Sequence, residues 1–354
     1  MNNKKKVRIL SLDGGGIRGV IPAIIIKYAE EYLKKKVPGT TIADHFDLIA
    51  GTSTGGILAC IYLTPQDKDR SKAKFTASEA LEFFIHEGYN IFNASRQGNF
   101  RRLWGLRNAT EFDPGYLEDL LEKRFGDTLI SNLLKPCLVP TYDMNSKNPF
   151  FFTSLEDTTK REFFVRDVAR STSAAPTFFP PAKIKNIAPD AGKDGEALDM
   201  INLDGGVFAN NPLMCAYAEA RKTNFKDRNN DHPSINDMYV LSLGTGGGGF
   251  ELGGKERSSR WNLLKWAKSM PKIMMDGSIG TVAFQMDQIY KTRQPDDSNG
   301  YLRIDVPEED RNYAPGLSEA SPQNVEALLR AGEKTLQYAK GNELDKFLDS
   351  LLDC

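Results

Sequence analysis

Residues 7–19 read Val-Arg-Ile-Leu-Ser-Leu-Asp-Gly-Gly-Gly-Ile-Arg-Gly, and the fold class follows from this stretch. Val7–Leu12 is short, β-rich and mostly apolar, the pattern of a buried strand. The glycines break it at once. Ile17–Lys36 then shows helical periodicity and ends in lysines, which complement a helix C-terminus, before Pro38-Gly39 stops it. Phe46–Ala50 (FDLIA) reads as a second strand and Ser53–Leu63 as a second, apolar helix. A β-α-β-α opening predicts a mostly parallel sheet covered by helices, a three-layer α/β/α architecture.

Farther along, helices are expected over Ser78–Asn93, Pro114–Phe125, Val165–Ser173, Pro212–Lys222, Trp261–Met275, Thr281–Tyr290, Pro322–Lys340 and Glu343–Leu352. Strands are expected at Cys137–Tyr142, Phe150–Thr153, Ile201–Leu203, Met238–Leu243 and Tyr301–Val306. Gln97–Thr110, rich in arginine and aromatics, reads as a surface loop or lid. Ala188–Leu198 and Thr223–Pro233 read as solvated loops. Neither an internal repeat nor a linker divides the chain. One domain over 1–354 is expected, with 246–354 supplying helical embellishment and closing elements.

Composition bounds the function. The 354 residues are 40% hydrophobic and 26% charged, with a net charge of −1. Such a balance gives no footprint for nucleic acid. Cys60, Cys137, Cys215 and Cys354 lack CxxC spacing and read as reduced thiols, which favours a cytoplasmic setting. No run of about 18 apolar residues offers a membrane span, so any membrane contact is expected to be peripheral. Thr177–Pro181 (TFFPP) and Trp261–Met270 are two stretches that could meet a lipid surface or pack in the core.

Gly51-Thr-Ser53-Thr54-Gly55 lies between the second strand and the second helix. A G-x-S-x-G turn in that place holds serine at a sharp elbow, where flanking side chains would collide. The bland alternative is a glycine turn with a capping serine. A reactive serine needs an oxyanion hole and a base. Gly14, Gly15 and Gly16 can turn backbone N–H groups toward one point, with Thr54 N–H as a further donor. Arg18 could add positive charge there or pair with a carboxylate. Gly14, Gly16 and Gly19 also fit the G-x-G-x-x-G dinucleotide fingerprint of a nucleotide-binding oxidoreductase. The second strand, however, lacks the acidic residue that fingerprint wants, and Asp13 would repel a pyrophosphate. None of the histidines (His45, His86, His232) follows a strand as a hydrolase triad histidine does. Asp204, followed by Gly205 and Gly206 after the strand Ile201–Leu203, can serve instead: burial raises a carboxylate's pKa and makes it a better base.

These motifs, in this order, resemble the patatin-like phospholipases: Asp13–Gly19, Gly51–Gly55, the block Ala169–Pro176, then Asp204–Gly206. The resemblance covers about residues 7–245. It implies a patatin-like fold and a Ser53–Asp204 dyad that hydrolyses acyl esters of glycerophospholipids without metal or cofactor. It also implies a phospholipid membrane surface as partner, at the inner face of the cell membrane. The length and Tyr142-Asp143-Met144 also resemble bacterial phospholipase effectors of anti-phage defence activated by cyclic dinucleotides. No residue reads such a nucleotide by motif, although Gln97–Thr110 is a candidate contact region. A non-catalytic lipid-binding protein and a homo-oligomer stay open.

Overall fold

The computed structural model describes residues 4–93, 110–247, 263–293 and 300–353. Strand β1 (Val7–Leu12) leads through a 3-10 turn at Gly16–Gly19 into helix α1 (Val20–Lys36), three residues later than the sequence pattern predicts. Gly16 adopts φ +58°, which α-helix cannot use, so the first turn tightens before the helix begins. β2 (Leu48–Gly51) leads directly to α2 (Thr54–Leu63), whose ten residues are all buried. Next come α3 (Ala77–Asn93), α4 (Gly115–Phe125), β3 (Cys137–Asp143), β4 (Asn148–Thr153), α5 (Val165–Thr172), β5 (Ala182–Lys185) and β6 (Asp199–Asp204). A one-turn helix α6 (Gly206–Ala209) and α7 (Leu213–Lys222) follow, then a small ribbon of β7 (Asn224–Phe225) and β8 (Asn230–Asp231) within the expected loop. β9 (Met238–Leu243), α8 (Leu263–Lys291), β10 (Tyr301–Ile304), α9 (Pro322–Ala339) and α10 (Glu343–Leu352) complete the order. Two differences from the sequence pattern stand out. β5 alternates buried Ala182 and Ile184 with exposed lysines, a run too short to read. The two helices expected near the C-terminal third are one continuous α8, running through Pro271 and Gly277.

Among the described residues eight strands form the central sheet in the order β10-β9-β1-β2-β3-β6-β5, with β4 also on β3. From β10 to β3 every pairing is parallel; β3–β4, β3–β6 and β5–β6 are antiparallel. Side-chain alternation feeds two cores. Leu10, Leu12, Ile49, Leu241 and Leu243 pack with α1, α2, α3 and α9. Val7, Ile9, Leu48, Ala50 and Val240 pack on the other face with α7 and Met286 of α8. Burial on both faces of the parallel strands gives the three layers expected.

The sheet also positions the chemistry. Ala50 pairs with Leu138, so carrying that register three residues on brings Ser53 level with Thr141. Thr141 pairs with Asp204. β6 therefore runs against its neighbour and stops where the turn after β2 begins.

Candidate active site

Ser53 sits on the turn between β2 and α2 with φ 54° and ψ −123°, a conformation rare for a residue with a side chain. Such backbone costs on the order of 1–3 kcal/mol and persists only when its surroundings hold it. The flanking glycines show why it closes. A Cβ on Gly51 would lie 2.1 Å from the Gly55 carbonyl oxygen, and one on Gly55 2.3 Å from that of Leu12. The Ser53 N–H donates to Thr172 Oγ1 at 3.0 Å, and the Thr172 hydroxyl donates to the Pro140 carbonyl at 2.7 Å. The Ala169–Pro176 block thereby fastens the elbow to β3. Thr54 opens α2, so the positive end of the helix dipole points at Ser53.

Asp204 ends β6 and is 1% exposed. Its Oδ1 accepts the Gly206 N–H at 2.7 Å. Oδ2 is buried without a complete hydrogen bond. Burial raises the Asp204 pKa to about 7, against the pull of two groups that favour the anion, the Ser53 hydroxyl and the Gly206 N–H. The Ser53 hydroxyl thus acts on the Asp204 carboxyl, favouring its anion. Gly205 sits against β3, where a Cβ would meet the Pro140 carbonyl oxygen at 2.3 Å.

The loop after β1 supplies amides, with a correction at Gly14. Its N–H donates to the Asn210 carbonyl at 2.9 Å, and its own carbonyl accepts from Asn210 Nδ2 and Thr245 Oγ1. Gly14 therefore anchors the loop and has no N–H left for an oxyanion. The amides of Gly15, Gly16 and Thr54 make no hydrogen bond to other described residues. A Cβ on Gly16 would lie 2.1 Å from the Leu317 carbonyl oxygen, so the C-terminal region covers this loop closely. That cover lies over the glycines a dinucleotide would need.

Arg18 corrects a second expectation. It is buried, its Nη1 donates to the Pro315 carbonyl at 3.1 Å, and it does not line the cavity that holds Ser53. Burial lowers its pKa. It braces the C-terminal segment rather than reaching an oxyanion. Asp13 has its own partner: Arg303 of β10 donates to both carboxylate oxygens, at 2.9 and 2.6 Å. Burial raises the Asp13 pKa to about 6 against the pull of Arg303, which leaves the pair charged at neutral pH.

Ser53 and Asp204 open into a cavity with about 630 Å³ of atom-free space including its mouth. Its walls are Phe83, Phe84, Ile91 and Phe92 of α3, with Phe178, Phe179, Met275 and Leu317 among the rest. Thr177–Pro181 thus places its aromatics in the cavity wall. Phe92 and Phe112 meet at 5.5 Å, and Phe112 meets Phe179 at 5.7 Å, edge to face and tilted. None of the histidines lines the cavity. His45 is buried beside Thr40, and burial takes its pKa down to about 4. Among the described residues no helix is long and apolar enough to cross a membrane, and Cys60, Cys137 and Cys215 are free thiols. Of the Gln97–Thr110 loop only Thr110 lies within the described residues; Trp261 and Cys354 lie outside them.

Sequence reading misses Thr172, Asn210, Thr245 and Arg303. Thr172 lies in a block marked only by resemblance, and Asn210 is marked only as a helix start. A lone arginine inside the apolar stretch Tyr301–Val306 is the one signal for Arg303.

The patatin-like phospholipase family profile matches residues 10–217. Patatin-like protein 2 of Oryza sativa subsp. indica is 30% identical over 349 residues, covering 94% of this chain and 84% of the relative. Patatin-like protein 2 of Arabidopsis thaliana is 33% identical over 360 residues, covering 94% and 83%. Human GIVD cytosolic phospholipase A2 aligns in structure with a TM-score of 0.48 at 12% identity, covering 98% of this chain and 60% of that one. With more than half of the chain under the family profile, the chain belongs to the patatin-like phospholipases, a family of lipid acyl hydrolases.

Proposed function

We propose that the chain cleaves ester-linked fatty acids from glycerophospholipids, a phospholipase A-type reaction, with Ser53 as nucleophile and Asp204 as its base. The observation that carries this reading is the Asp204 carboxyl: buried, with Oδ2 lacking a hydrogen-bond partner, its pKa pushed up by burial to about 7 against the pull of the Ser53 hydroxyl. A base with that pKa accepts a hydroxyl proton far better than an ordinary aspartate of about 3.9 and is still largely ionised at physiological pH.

In this reading the Ser53 proton passes to Asp204 as Oγ bonds to the ester carbonyl carbon. The amides of Gly15, Gly16 and Thr54 hold the oxyanion, and the α2 dipole favours its charge. The carbon–oxygen bond to glycerol breaks, and the leaving alcohol takes the proton from Asp204. Water then gives a proton to Asp204 and attacks the acyl-serine. Oγ leaves with that proton, and the fatty acid is released. The apolar cavity suits an acyl chain, whose burial contributes on the order of 0.8 kcal/mol per methylene.

The test is fatty-acid release from phospholipid vesicles. Ser53→Ala and Asp204→Asn are each expected to lose on the order of 10³-fold or more in turnover while staying folded. Wild-type turnover by either variant would remove that residue from the chemistry. Cyclic dinucleotides enter the assay as candidate activators; no described residue is assigned to hold one. Vesicle binding without ester cleavage under every activator would instead favour a lipid-binding protein that does no chemistry.

A further inference from the structure

The turn after β6 holds more than the base. Asn210 follows the one-turn helix α6 and is 1% exposed. Its carbonyl accepts the Gly14 N–H at 2.9 Å, and its side-chain Nδ2 donates to the Gly14 carbonyl at 3.1 Å. One residue thus grips both polar groups of Gly14. Beside it, the Ala209 carbonyl accepts the Thr52 hydroxyl at 2.7 Å, which ties the elbow to the same turn. The Asn210 side-chain oxygen is wedged between two glycines. A Cβ on Gly14 would lie 2.3 Å from Asn210 Oδ1 and 3.2 Å from Ser53 Cβ. A Cβ on Gly206 would lie 2.8 Å from the same oxygen and 3.0 Å from Asp204 Oδ1. Among the described residues nothing donates to Asn210 Oδ1. A buried acceptor without a donor costs stability, so folding alone gives little reason for an amide at this place. The Gly14 carbonyl also has a second donor, Thr245 Oγ1 at 2.9 Å, from a buried residue that packs on Gly15.

We propose that Asn210 is a positioning residue: its carboxamide sets the spacing between the glycine loop and the Asp204 turn, and so aims the Gly15 and Gly16 amides at the carbonyl that Ser53 attacks. Thr245 assists by holding the same Gly14 carbonyl. The inference rests on the Ser53–Asp204 reading, since a forming oxyanion is what gives that aim a purpose. Displaced amides leave the ester able to bind and stabilise its transition state less, so the loss falls on kcat rather than on KM.

Hydrolysis of a soluble short-chain ester, p-nitrophenyl butyrate, is followed with the full chain. Turnover is counted per serine that a fluorophosphonate labels at completion, and circular dichroism checks folding. Asn210→Ala is expected to lose on the order of 10²-fold in kcat while KM stays within about threefold. Thr245→Val is expected to lose about tenfold in kcat, and Thr245→Ser, which keeps the hydroxyl, to stay within about threefold of wild type. A folded Asn210→Ala with wild-type kcat, or one whose loss lies in KM alone, overturns the proposal. If Asn210→Ala does not fold, the Thr245 pair decides, and equal kcat in Thr245→Val and Thr245→Ser overturns it. A wild type that cleaves no ester, or an activity that survives Ser53→Ala, sinks the dyad reading and takes the inference with it. A Ser53-dependent activity indifferent to Asn210 sinks the inference alone.

Discussion

Asp204 carries one proton more in the folded chain than in the unfolded chain between about pH 4 and pH 7, because burial raises its pKa to about 7. Folding stability therefore falls as pH climbs through that window and levels off above it, by on the order of 1.4 kcal/mol for each pH unit. Asp204→Asn removes this dependence. Its melting temperature is expected to match wild type near pH 4 and to exceed it at pH 8, as thermal unfolding across that range would show. Parallel curves would mean that the carboxyl is not held neutral by its surroundings. Ser53→Ala also removes a group that favours the anion, so the Asp204 pKa should rise further in that variant, readable by carboxyl NMR titration. The sequence marks both residues because each lies within a short local pattern: a serine between glycines after a strand, and an aspartate before two glycines. It does not mark which amides are free. Gly14 looks like its neighbours in sequence and is spent on Asn210, a partner 196 positions away.

The elbow after β2 is one element held by another. Thr172 on α5 receives the Ser53 N–H and passes its own hydrogen to Pro140 on β3. Thr172→Val keeps the shape and deletes both bonds, which leaves a buried N–H and a buried carbonyl unpaired. The expected loss is about 1–3 kcal/mol in denaturant unfolding, with Thr172→Ser restoring most of it. A valine variant as stable as wild type would show that the link is dispensable. Elements with long apolar runs, such as α1, α2 and β9, are legible in sequence because their own side chains decide them. β5 is not: four residues alternating lysine with apolar residues become a strand only through pairing with β6. The continuity of α8 is equally hidden. Pro271 and Gly277 argue locally for a break, yet one helix runs through both and packs on α6 and α7.

At the scale of the whole molecule, the C-terminal third supports the site. β10 extends the parallel sheet, and its Arg303 reaches Asp13, 290 positions earlier, at the root of the glycine loop. Arg303→Met strands the Asp13 carboxylate in the core and should cost about 3–5 kcal/mol in chemical unfolding, whereas pairing it with Asp13→Asn should recover much of the loss. Equal stability of the single and double variants would contradict that role. The arrangement is illegible in sequence because the ion pair follows from strand order, and no local pattern announces which strand will lie beside which. Three distant segments thus converge: the loop after β1, the turn after β2 and the end of β6. The rate at which a fluorophosphonate modifies Ser53, followed by peptide mass spectrometry across pH 5–9, reads that convergence directly. The rate is expected to rise with pH around a midpoint of about 7 in wild type, as Asp204 ionises, and to be lost in Asp204→Asn. A pH-independent rate unchanged in Asp204→Asn, or a label on another residue, would contradict the account.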